Sequence, residues 1–174
     1  DSMVNKYTAA RRLRSEDAYS PDGRHDLRPE YPTIVYTNIL RQLFPDVPIV
    51  LGGIEASLRR VMHYDYWQER FRPSILCDCD ADLITYGMGE KPTLELVRLL
   101  TDAIDQSHPL LHYDEKGEAC ITRQLLREVG IANLKQTVTL WQKEEIPGGI
   151  NKDDIVLHSY EECLKQPQLH AENF

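Results

Sequence analysis

Apolar and polar positions alternate in two rhythms along this chain, and the changes of rhythm mark its elements. Val35, Ile39 and Leu43 share a helical face beside Tyr36 and Leu40, and Pro32 suits a first helical turn. Pro45 and Pro48 end that helix. Ile49, Val50 and Leu51 then form an unbroken apolar run with two β-branched members, as expected of a strand covered on both faces. Gly52 and Gly53 make a turn, and Ile54, Leu58, Val61 and Met62 resume helical spacing. A second passage has the same order. Asp82 to Gly87 reads as a strand entering a turn, Gly87 and Gly89 flank Met88, and Glu90 opens a helix. Leu96, Leu100, Ala103 and Ile104 share that helix's apolar face, with Val97 and Leu99 nearby. Helix, strand, helix, strand, helix implies parallel strands joined by crossovers. The expected fold class is therefore α/β, an open, mostly parallel sheet with helices on both faces, expected to be incomplete within this chain. If the two strands are neighbours, both glycine turns leave one C-terminal edge, where such sheets place ligands.

The flanks carry weaker patterns. Met3, Tyr7, Ala10 and Leu13 predict a first helix with Ser2 as N-cap and Arg11, Arg12 and Arg14 in its last turn. Residues 15–30 hold Pro21, Gly23 and Pro29 without apolar periodicity and read as a long loop. Tyr64, Tyr66, Trp67 and Phe71 concentrate four aromatic rings in eight residues. Packing on the core is the favoured reading of that cluster, ahead of a lid. Further on, Ile121, Leu125 and Val129 predict a helix closed by Gly130, and Val138 and Leu140 a strand. A turn at 146–149, another strand at Ile155–Leu157 and a helix capped by Ser159 complete the pattern. Residues 1–107 are thus expected to form the α/β unit, and 108–174 a mixed α/β extension of the same domain.

Bulk composition narrows the class. The chain has 174 residues, 41% hydrophobic and 28% charged, ordinary for a soluble globular domain. Its net charge of −8 is uneven, with 11 Lys/Arg against 10 Asp/Glu through Ser74 and 9 against 18 beyond it. An acidic total disfavours broad binding to nucleic acid or anionic membrane. No apolar run reaches the length of a membrane span. Cys77, Cys79, Cys120 and Cys163 fit no zinc-ribbon or disulfide spacing, so reduced thiols in a cytoplasmic compartment are expected. The first residue is Asp1 rather than Met, which suggests a piece of a longer chain. If upstream strands are missing, exposed sheet edges favour pairing of two copies into a homodimer.

Chemistry is sparse. Free N–H groups at a glycine turn and a helix start suit an anion. Glu55 and Arg59 stand four apart, in the order that suits a helix-surface ion pair. His63 has no placed partner that would make it a general base or metal ligand. Arg59, Arg60, Arg70 and Arg72, interleaved with Tyr64, Tyr66 and Trp67, form a charge-and-stacking pattern that nucleic acid could use, though the acidic second half opposes it.

Four strings carry a specific resemblance: "DSMVNKYTAARRLRSEDAY", "IVLGGIEASLRR", "HYDYW" and "DADLITYGMGE". In this order they resemble the N-terminal part of YgiQ-family radical SAM proteins, over roughly Asp1 to Leu100. "GGIEAS" followed by "DLITYGMGEKPTLEL" is also similar to the second half of the Rossmann-like, cobalamin-binding-type domain that precedes many radical SAM cores. The resemblance implies a parent enzyme that cleaves S-adenosylmethionine reductively at a 4Fe-4S cluster. It implies that this chain is an accessory region shaping or covering a cofactor or substrate site, inactive alone, with the core in the same polypeptide. The family's C-x-x-x-C-x-x-C motif is absent here, so no metal ligand and no catalytic residue is assigned. The D-x-H-x-x-G string that supplies a cobalamin-ligating histidine is absent too, and His25, His63 and His108 lack its context. The residues expected to contact a cofactor or substrate are Gly52, Gly53, Glu55, Ser57, Arg59, Arg60, Gly87, Gly89 and Glu90. Turn geometry alone would also account for the glycines, and a salt bridge for the arginines. A non-catalytic nucleotide-, RNA- or partner-binding module is the alternative.

Overall fold

The structure, a computed structural model, describes residues 7, 8 and 10–173. Its centre is a small mixed sheet between helices. Helix α1 (Pro32–Leu43) leads into strand β1 (Val50–Leu51), and helix α2 (Gly53–Leu58) follows the glycine turn. Strands β2 (His63–Asp65) and β3 (Arg70–Arg72) form an antiparallel hairpin, then comes the short helix α3 (Ile75–Asp78). Strand β4 (Leu83–Thr85) lies beside β1 and runs parallel to it, with Val50 opposite Leu83 and Leu51 opposite Ile84. The long helix α4 (Glu90–Asp105) follows the second glycine turn. Beyond it stand the hairpin β5 (His112–Tyr113) and β6 (Ala119–Cys120), helix α5 (Arg123–Glu128), and strand β7 (Thr137–Val138). Helices α6 (Tyr160–Lys165) and α7 (Gln168–Glu172) close the chain.

Alternation along β4 separates two cores. Leu83 points to one face, where Leu96 of α4, Leu126 of α5 and Ile131 enclose it. Ile84 points to the other, among Leu51, Ala56, Ile75, Leu76 and Cys79, with Ile34 of α1 packed against them. Helices therefore cover both faces of the β1–β4 pair, as α/β architecture requires. The sheet order is β1-β4-β7, and β7 runs antiparallel to β4. Among the described residues the expected mostly parallel sheet is thus realised in one strand pair. Among the described residues no helix is long and apolar enough to cross a membrane.

The predicted first helix is not formed where the structure describes it. Tyr7 bridges Leu13 in antiparallel fashion, and Arg11 adopts φ 58, outside the right-handed helical basin. Its guanidinium lies over the Tyr66 ring and pairs with Glu69, contacts across the chain that outweigh local propensity. Ser2 and Met3 lie outside the described residues. The predicted strand at Ile155–Leu157 is exposed coil, because among the described residues no strand pairs with it. The helix after the glycine turn stops at Leu58, so Val61 and Met62 do not extend its face. Ile54 and Leu58 face outward, whereas Glu55 and Ala56 are the buried residues of α2. Two local predictions hold in detail. Ser159 and Glu162 form a reciprocal capping box, and Gly130 closes α5 with a left-handed φ of 88°.

Candidate functional site

Because β1 and β4 are parallel neighbours, the two glycine turns emerge side by side at one rim. Gly53 takes φ +83, which a residue with a Cβ adopts only under strain, and so lets β1 swing into α2. A Cβ on Gly52 would stand 3.3 Å from Thr85 Oγ1, so the turn fits tightly against the end of β4. The Thr85 hydroxyl is set between the turns: it donates to the Leu51 carbonyl at 3.4 Å, and a Cβ on Gly89 would lie 3.7 Å from it. The Gly87 N–H donates to Ser57 Oγ at 3.3 Å and ties the second turn to the end of α2. Arg60 donates to the Ser57 carbonyl at 2.6 Å and lies over the Tyr86 ring at 4.8 Å. Glu90 is exposed in the first turn of α4 and, with Gly89, Thr93, Leu94 and Val97, lines a shallow groove beside the rim.

Seven of the nine expected contact residues therefore gather here: Gly52, Gly53, Ser57, Arg60, Gly87, Gly89 and Glu90. Glu55 and Arg59 do not. Both turn inward and are 8% exposed, so the expected helix-surface ion pair is a buried one at 3.5 Å. Thr33 donates to Glu55 Oε2 at 2.6 Å, and Arg59 reaches Asp65 at 3.6 Å while stacking over Tyr31. Tyr31 donates to the same Asp65 carboxylate at 3.1 Å, and burial raises its pKa. Asp65 also accepts from the N–H groups of Trp67 and Gln68, which shapes the β2–β3 turn. Beside this network the His63 Nε2 is buried without a hydrogen-bond partner, and burial lowers the imidazole's pKa, favouring its neutral form.

The aromatic and arginine pattern of residues 59–72 is taken up by these contacts. Trp67 packs against Tyr7 and Tyr66, and Tyr64 meets Phe71 edge-on. Arg72 pairs with Asp78 at 2.6 Å, and Arg70 and Arg72 both donate to Gln68. These contacts cross-brace the hairpin and leave Tyr64 and Tyr66 about half exposed.

Sequence reasoning missed Thr85, Tyr86 and Gln136 at the rim, and Tyr31, Thr33 and Asp65 in the buried network. Thr85 and Tyr86 had a signal, since the last residues of a parallel strand face the ligand edge. Gln136 had none, because only the β4–β7 pairing brings its carbonyl to the Tyr86 N–H at 3.1 Å.

The four cysteines do not fit a three-thiolate cluster. Cys77 is exposed at α3, and Cys79 is buried with its thiol donating to the Ile75 carbonyl. Burial pushes the Cys79 thiol up to about 11, far from a thiolate ligand at neutral pH. Cys120 stands in β6 and Cys163 is fully buried in α6. Among the described residues no three His, Cys, Asp or Glu side chains converge in a metal-binding group. The rim instead offers the exposed backbone of Gly52, Gly53 and Gly87 and a held guanidinium, which suit contact with an anionic or polar surface.

Comparison with known proteins adds a family. The family described as Radical SAM N-terminal matches residues 1–174. A UPF0313 protein of Bacteroides thetaiotaomicron is 51% identical over the whole chain, which covers 26% of that protein. One of Porphyromonas gingivalis is 48% identical over the whole chain and 24% of its own length. One of Geobacter sulfurreducens is 59% identical over 98 residues, 56% of this chain and 16% of that protein. The chain thus spans about a quarter of the relatives that it matches from end to end. No solved structure matches it.

Proposed function

The chain belongs to the radical SAM N-terminal family, and on that premise we propose that it is the accessory domain of a radical SAM enzyme. In this reading a core elsewhere in the same polypeptide holds the 4Fe-4S cluster and S-adenosylmethionine and supplies the radical chemistry. The domain's own residues bind and orient. The observation that carries the reading is the rim, where the parallel β1–β4 pair brings two glycine turns together and Ser57 locks one to the other. Gly52, Gly53, Gly87 and Gly89 place no Cβ at their positions in the turns, so a partner surface or substrate can approach the backbone closely beside the exposed Met88. Arg60, held by the Ser57 carbonyl and Tyr86, presents a pre-set cation to a carboxylate or phosphate. Helices on both faces of that pair support a Rossmann-like sheet. The reduced cysteines suit a cytoplasmic setting.

The test uses the full-length polypeptide, reconstituted anaerobically with iron and sulfide. Ser57→Ala and Arg60→Ala should each lower S-adenosylmethionine cleavage about tenfold or more while leaving the melting temperature and the cluster absorbance unchanged. Unaltered cleavage, or a loss that tracks a fall in melting temperature, would refute the role. Arg59→Ala is the contrast: its buried network predicts a loss of stability.

A further inference from the structure

Strand β1 is the edge of its sheet, and that edge is unlike the surface of a finished domain. The Ile49 carbonyl accepts the Asp82 N–H and the Leu51 carbonyl accepts the Thr85 hydroxyl, both on the β4 side. Backbone alternation therefore turns the N–H and C=O of Val50 to the open side. Soluble proteins blunt such edges with lysine, proline, bulges or a covering segment. Here β1 is only two residues long and follows Pro48, yet the edge still presents a valine that is 42% exposed. Val50 shares a face with Leu83, which α4 and α5 bury completely; the covering layer ends before it reaches β1.

On the opposite face Leu51 is buried in the core that α1 packs against, but the outer side of α1 is itself a second apolar surface. Helix α1 packs Ile34 on the core and turns polar residues inward: Thr37 is buried, and Arg41 is caged by the carbonyls of Phe44, Pro45 and Val47 and by Asp82. Tyr36, Ile39, Leu40 and Leu43 are exposed, Leu43 at 65%. Their spacing of i, i+3, i+4 and i+7 is the stripe that an amphipathic helix buries. So the apolar side of α1 looks outward and its polar side looks in, the reverse of a helix that ends a domain.

We propose that the sheet continues past β1 with a strand from the same polypeptide, outside these 174 residues, whose flanking segments cover Val50 and the α1 stripe. The relatives matched from end to end are about four times as long as this chain, so ample sequence lies elsewhere to supply the strand. A tethered segment meets the edge at an effective concentration on the order of millimolar, which a second copy does not reach in dilute solution. This inference does not depend on the role of the rim, and its readout involves neither cluster nor S-adenosylmethionine.

Amide exchange in the full-length polypeptide tests it, read at the Val50 amide with overlapping peptides, because the Ile49 N–H is already held by Asp82 and Leu51 is already paired with β4. The Val50 amide should exchange about tenfold or more slowly relative to the exposed coil at 151–157, independently of protein concentration. Ile39→Glu and, more mildly, Leu43→Gln should weaken that protection of Val50 while leaving α4 protected, which shows that the domain is still folded. Ile155→Glu, at an exposed apolar site elsewhere, should leave it intact. Exchange at the Val50 amide as fast as in the coil would overturn the proposal. So would protection that vanishes on dilution together with dissociation of a dimer, because the occupant would then be a second copy.

Discussion

Replacing Asp82 by alanine tests how this fold holds the N-terminal end of its two parallel strands. The Asp82 side chain is 2% exposed. Its Oδ2 accepts from the Ile49 N–H at 2.8 Å and from Arg41 Nη2 at 2.7 Å, and its Oδ1 accepts from Arg123 Nε at 2.6 Å. One carboxylate thus joins the start of β1, helix α1 and helix α5. Breaking a buried ion pair from one side costs about 3–5 kcal/mol, since the remaining charge stays desolvated. Both arginines keep other partners: Arg41 holds three carbonyls of the following loop, and Arg123 holds Asp80. The expected loss is therefore at the low end, about 3 kcal/mol, with the unpaired Ile49 N–H as a main component. Asp80 is the control. Its side chain is 52% exposed, so Asp80→Ala should cost about 1 kcal/mol or less despite two hydrogen bonds from Arg123. Urea unfolding followed by the fluorescence of Trp67 and Trp141 measures both. With a slope of about 2 kcal/mol per molar, Asp82→Ala should lower the midpoint by about 1.5 M and Asp80→Ala by about 0.5 M or less. Equal shifts for the two variants would refute the reasoning, because they would mean that burial does not set the strength of this junction.

Two further outcomes are expected. Asp17 organises residues 15–30 by accepting from Arg28 at 2.6 and 2.9 Å and from the Tyr19 N–H, and the Arg28 hydrogen bonds, chiefly, lower its pKa. Because the folded value lies below the unfolded one, this stabilisation is full above about pH 4 and is lost as pH falls through the folded value. Tryptic cleavage after Arg24 should accelerate in Asp17→Ala at neutral pH, and an unchanged rate would show that the loop is held by something else. For the cysteines, iodoacetamide at pH 8 should label Cys77 and spare Cys79, whose thiol is pushed up to about 11 by burial, and Cys163, which is enclosed. Mass mapping that finds Cys79 labelled as fast as Cys77 would contradict the packing of α3.

The local signals were legible where they act within a few residues. Pro32 and Pro45 bracket α1, Gly53 needs its positive φ, Gly130 closes α5, and Ser159 with Glu162 makes a capping box. Each of these depends on one backbone conformation or one short hydrogen bond, so the residue types suffice. The adjacency of the two glycine turns was also readable, because strand–helix–strand order restricts the topologies open to the chain.

The sequence by itself determined the α/β class, the two strand-to-glycine turns and the family resemblance. Only the tertiary structure decided which charges are ligand-facing and which are structural. Glu55 and Arg59 have the spacing of a surface pair, yet Thr33, Tyr31 and Asp65, from distant parts of the chain, draw them inside. Arg11 has the composition of a helix end, yet Tyr66 and Glu69 hold it in a turn. Helix α1 has an apolar stripe that periodicity assigns to a core, yet its polar side faces this domain. Periodicity reports which side of a helix is apolar. What lies against that side depends on partners far away in the chain, because burial and charge pairing are set by three-dimensional neighbours and not by sequence distance.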